Sequence, residues 1–276
     1  MTWRGLLLGA VLLAAPASAQ EGPGASEGLE PTLVTAKLAR GAEIAGLLNI
    51  RAGTNADTLV LLFPGSPGIL RFEPAAGAVV RTLAGNTLVR ARRHLTQEGV
   101  ATLLVDCPND QWETGCKADY RHSPLHAADI AALVAAARQT RPFARVYAVG
   151  HSYGTVSSSY LARTMPGLAG AVHVSAIGGA SNFARTSFMA NVDWQSAKVP
   201  QLFVHHRDDG CGATPYGAIK DRIGTLPLVT VTGLGADARG PACEARGAHG
   251  LAGREREALQ AIRSWIDTGT APQEIR

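Results

Sequence analysis

The sequence contains no internal repeat, no long linker, no low-complexity tract and no block of like charge. Those absences set aside a repeat array and leave one domain as the default. The formal net charge is only +4, with acids and bases interspersed, which is too weak and too scattered to imply nucleic acid as a partner. A continuous apolar run of about 20 residues, the length a helix needs to cross a bilayer, is also missing. The run Leu6 to Ala15 falls well short of it.

That short run follows Arg4 and leads to Pro16 and the small-residue triplet Ala17-Ser18-Ala19, the pattern of a signal peptide at 1–19. Cleavage near Ala19 would deliver the chain to the periplasm or outside the cell. No cysteine lies near that site to carry a lipid. Residues 20–30, rich in Gly and Glu, read as a flexible leader, and 31–276 as a single domain.

Short β-rich runs alternate with helical ones, which predicts an α/β fold with helices on both faces of a mainly parallel sheet of about eight strands. The strands are expected over 33–39, 43–50, 58–63, 101–105, 144–149, 169–175, 201–205 and 227–232. Helices are expected over 85–97, 126–139, 155–164 and 254–267. The last carries Ala258, Ile262, Trp265 and Ile266 on one face.

The strand ending at Val149 runs into Gly150-His151-Ser152-Tyr153-Gly154. Gly-x-Ser-x-Gly between a buried strand and a small-residue helix is the form of a nucleophile elbow, with Gly150 and Gly154 removing collisions at the turn. A serine hydroxyl needs a base and an acid to orient that base. His249 and Asp209 follow in chain order, with Asp208 as the rival acid. The backbone N–H groups of Tyr153 and Ser66 are candidates for an oxyanion hole, since Pro64 and Pro67 have no N–H to offer.

Taken together, the elbow, Leu202 to Asp209 and Gly247-Ala248-His249-Gly250 make the mature chain similar to the α/β-hydrolase fold family, and to its compact, lidless members. The resemblance implies acyl-enzyme chemistry on a small-molecule ester or acyl substrate, with no cofactor, no metal and no stable membrane insertion. A serine peptidase or a lactone or amide hydrolase on the same triad, and a catalytically silent binding protein, are the alternatives. His205 and His206 invite a metal reading, but adjacent strand residues point to opposite faces. Phe183, Phe188, Met189 and Trp194 could overhang the site or belong to the core.

Four cysteines in an exported chain predict two disulfides. Three connectivities are possible, of which Cys107 with Cys116 and Cys211 with Cys243 is favoured because the first pair shares one loop. The second bridge would tie the acid loop to the base loop.

Overall fold

The computed structural model describes residues 24–72, 82–178 and 186–276. The signal sequence with its cleavage site, and Phe183, lie outside them. Among the described residues the strands are β1 (Leu29–Lys37), β2 (Glu43–Arg51), β3 (Ala56–Phe63), β4 (Gly99–Val105), β5 (Arg145–His151), β6 (Gly170–Val174), β7 (Gln201–His206), β8 (Leu228–Val231) and β9 (Glu274–Ile275). They form one nine-stranded sheet in the order β1-β2-β4-β3-β5-β6-β7-β8-β9. β1 pairs antiparallel with β2, and β2 with β4. All remaining pairings are parallel. The chain leaves β3 toward β4 on one side and later reaches β5 on the other. This reversal opens a crevice above the strand ends, where ligands bind in open α/β sheets.

The helices are α1 (Thr87–Arg90), α2 (Ala118–Arg121), α3 (Pro124–Thr140), α4 (Thr155–Thr164), α5 (Tyr216–Arg222) and α6 (Glu255–Thr268). Ser123 starts α3 by accepting from His126 N, with Pro124 in the first turn. α6 ends at Gly269 with φ 75°. Alternation along β3 divides the core: Val60 and Leu62 pack toward Leu259, Ile262 and Trp265 of α6. Leu59, Leu61 and Phe63 face Ile130 and Leu133 of α3 and Leu161 of α4 on the other side. Each fully buried Leu or Ile contributes roughly 2 kcal/mol of transfer free energy, so these two layers hold the helices in place. No described helix is long and apolar enough to cross a membrane.

Two expectations need correction. The helix expected over 85–97 is only α1, a break at Ala91 and a 3-10 turn over Arg92–His94. Buried Arg92 turns inward to donate to Asn49 Oδ1 and Val89 O, and the chain tightens around it. The leader ends earlier than Glu30, because β1 begins at Leu29 and the turn before it is tied to Arg93, which donates to Gly24 O and Glu27 Oε2. The ninth strand is the two-residue β9, whose length gives no periodic signal.

Candidate active site

β5 delivers the pentapeptide into a single 3-10 turn, Ser152–Gly154, that continues as α4. Ser152 has φ 54°, a left-handed conformation that side-chain-bearing residues rarely adopt and that clusters at functional sites. Both flanking glycines are required. A Cβ on Gly150 would lie 2.4 Å from Gly154 O, and one on Gly154 would lie 1.9 Å from Phe63 O. The obstruction at Gly154 is β3 backbone, which cannot rotate away. Gly154→Ala is therefore expected to destabilise the fold by at least about 3 kcal/mol in urea unfolding. A change under about 0.5 kcal/mol would show that β3 yields.

Asp209 lies in the loop after β7 and is buried, whereas Asp208 is exposed. Asp209 Oδ2 accepts from His249 Nδ1 at 3.0 Å, Thr214 Oγ1 at 2.9 Å and His205 Nε2 at 3.2 Å. Its Oδ1 accepts from Cys211 N at 3.0 Å. Burial alone would push this carboxyl's pKa up, but the bonds from His205 and His249 outweigh burial and hold it well below the usual carboxylate range. Among the described residues Asp208 makes one hydrogen bond, from its backbone N–H to His206 Nδ1 at 3.0 Å. The two adjacent histidines diverge: His205 turns to Asp209 and Thr214 O, while His206 Nε2 donates to Gly233 O.

The backbone around His249 is fixed from several sides. Its carbonyl accepts from Ser175 Oγ at 2.8 Å and His151 Nε2 at 3.0 Å. The Gly250 carbonyl accepts from Thr87 Oγ1 at 2.7 Å and Arg90 Nη2 at 2.9 Å. Because a carbonyl can only accept, His151 carries its proton on Nε2, leaving Nδ1 to accept from Asn86 Nδ2 at 3.2 Å. Ser152, Ser66 and His249 line one cleft of about 660 Å³. Among the described residues no hydrogen bond joins Ser152 to His249.

Ser66 is exposed in the loop after β3, and Gly65 beside it fits against the elbow, where a Cβ would lie 3.3 Å from Ser152 Cβ. Buried Asp106 anchors the far side of that loop by accepting from Leu70 N at 2.6 Å and Phe72 N at 3.0 Å. Tyr153 is buried, with the Arg121 guanidinium 5.0 Å from its ring centroid. The disulfides are Cys107 with Cys116 and Cys211 with Cys243. The second joins the loop after Asp209 to the stretch before His249.

No family model matches the sequence, and no curated protein does. Solved structures do match it. A lidless serine hydrolase from Xanthomonas campestris is 15% identical with a TM-score of 0.55, over 88% of this chain and 97% of that one. A dienelactone hydrolase from Anabaena variabilis is 17% identical with a TM-score of 0.56, over 89% of this chain and the whole of that one. An acylaminoacyl peptidase from Pyrococcus horikoshii is 13% identical with a TM-score of 0.56, over 90% of this chain but only 43% of that one. The chain has the α/β-hydrolase fold.

Within this α/β-hydrolase fold, Phe188, Met189 and Trp194, which could either overhang the site or belong to the core, belong to the core. Met189 and Trp194 are buried among Tyr153, Val156, Phe203 and Ile219, and Phe188 packs on the same cluster. The outer wall of the cleft is built by residues 239–246. Sequence reasoning missed Thr214, Ser175, His205, Asn86, Thr87 and Arg90. Only His205 carried a signal, as the residue four before Asp209.

Proposed function

We propose that this protein is an exported serine hydrolase that cleaves carboxylic esters through an acyl-enzyme. Ser152 is the nucleophile, His249 the base and Asp209 the acid that sets the tautomer of His249. The observation that carries this reading is the buried Asp209 carboxylate on His249 Nδ1 at 3.0 Å, in the cleft that Ser152 enters from a left-handed elbow. With Nδ1 protonated, Nε2 is the free acceptor that can take the serine proton and return it to the leaving group. The Tyr153 N–H and the Ser66 N–H are assigned to the oxyanion, each worth about 3 kcal/mol in the transition state. Ester hydrolysis is chosen over peptide cleavage on the open, modest cleft, and two disulfides fit an oxidising compartment.

A fluorophosphonate tests the reading, because it phosphonylates only an activated serine. Incubation of the folded protein followed by peptide mapping is expected to place one adduct on Ser152, absent in Ser152→Ala and strongly slowed in His249→Ala. Folded wild-type protein that takes up no label would sink the proposal.

A further inference from the structure

Resting on the serine-hydrolase reading, we propose that the substrate carries an anionic group, a carboxylate or a phosphate, which Arg239 and Arg246 hold at the mouth of the cleft. Both line the cavity that Ser152 and His249 line. They sit side by side on one loop, where Arg239 N donates to Arg246 O at 2.9 Å, and the Cys211–Cys243 disulfide fixes that loop to the segment after Asp209. The loop that carries them is thus tied covalently to the segment after Asp209.

The two guanidiniums are also uncompensated. Both residues are exposed, and among the described residues neither side chain makes an ion pair or a hydrogen bond. Arginines beside the adjoining cleft are matched instead: Arg90 pairs with Glu255 at 2.6 Å and Arg93 with Glu27 at 2.5 Å. One carboxylate, Glu244, shares the wall with Arg239 and Arg246, which leaves the mouth positive. Arg246 also borders that adjoining cleft of about 560 Å³, whose lining mixes Arg256 with Glu255 and Glu257. The same cleft is also lined by apolar Leu83, Ala213 and Pro241. An ester with an apolar part and a charged end fits this mixed lining. A planar guanidinium offers paired donors suited to carboxylate or phosphate oxygens, and a one-sign cleft raises the local concentration of the opposite charge.

Three fluorophosphonates of equal length test this on the full-length folded protein. One is neutral, one ends its alkyl arm in a carboxylate, and one ends its alkoxy arm in a carboxylate. The rate of Ser152 labelling is the readout, so the test does not depend on turnover. At least one charged probe is expected to label about tenfold faster than the neutral one. That ratio should fall toward one in Arg239→Gln/Arg246→Gln and when salt is raised from 0.02 to 0.5 M. Competition by glutarate or by inorganic phosphate then tells which oxyanion is preferred. Equal labelling by all three probes, or a ratio untouched by the double substitution, overturns the anion site while leaving the serine hydrolase intact. Labelling by none of them removes the hydrolase reading, and this inference with it.

Discussion

Alanine at Ser152 is expected to lower kcat on any ester the wild type turns over by about 10⁵- to 10⁶-fold, which corresponds to roughly 7 to 8 kcal/mol of lost transition-state stabilisation. The size of the effect follows from what the hydroxyl does. Without it there is no acyl-enzyme, and only the cleft and the oxyanion donors are left to favour attack by water. His249→Ala should cost a similar factor, and the double variant should be no worse than either single one, because the residues act as a unit. Folding should be little affected by Ser152→Ala, since alanine bears the same left-handed φ of 54° that serine already tolerates. The bonds from His249, His205 and Thr214 to Asp209 do not pass through the serine either. Initial rates beside far-UV circular dichroism decide the matter. A folded Ser152→Ala protein that retained more than about 1% of wild-type kcat would place the nucleophile elsewhere.

The tight turn between β5 and α4 and the loop after β7 that carries Asp209 were legible in the sequence because each is a local pattern. Gly150 and Gly154 have no side chain, and the contacts a Cβ would make explain why. The buried strands announced themselves as apolar runs, and β3, β5 and β7 are buried along most of their lengths. What the sequence did not reveal is made by residues that meet only through the fold. Ser175 lies 74 residues from the His249 carbonyl it binds, and Thr87 lies 163 from its partner on Gly250. Neither serine nor threonine carries a pattern that points so far along the chain. The stretch 239–246 carries no motif, and only its disulfide and its place in the fold make it a wall of the cleft. The aromatic segment stayed undecided for the converse reason. Phe188, Met189 and Trp194 have the same composition whether they cover a site or fill a core, and packing decides between the two.

Lowering the pH from 7 to 4 is expected to unfold the protein, because three of its buried histidines stay neutral. Burial pushes His126, His151 and His173 each down to about 3. In the unfolded chain they titrate near 6.5. Between those values the unfolded state binds more protons, so stability is full above the unfolded value and is lost as pH falls. Each histidine contributes about 1.4 kcal/mol per pH unit in that window. Asp106 opposes them, since burial raises its carboxyl to about 6 despite its backbone hydrogen bonds, so the folded state takes up one proton there between about 4 and 6. The balance is two protons, or about 3 kcal/mol per pH unit, against a total stability of about 5 to 15 kcal/mol for a typical domain. Asp209, held low, adds to the loss only as pH falls below the usual carboxylate range. Urea midpoints measured at half-unit intervals should therefore fall steeply below pH 6, and stability that stayed flat to pH 4 would mean these imidazoles are not buried as described. His126→Leu should remove about one proton from the slope, since among the described residues neither of its ring nitrogens is hydrogen-bonded and the ring packs edge-on against Phe63 and Tyr120. His151 links this loss to the site: a proton on Nδ1 would confront the Asn86 amide and disturb the strut that holds the His249 carbonyl. Ester hydrolysis should accordingly be lost no later than the fold as pH falls, and recover with it on return to pH 7.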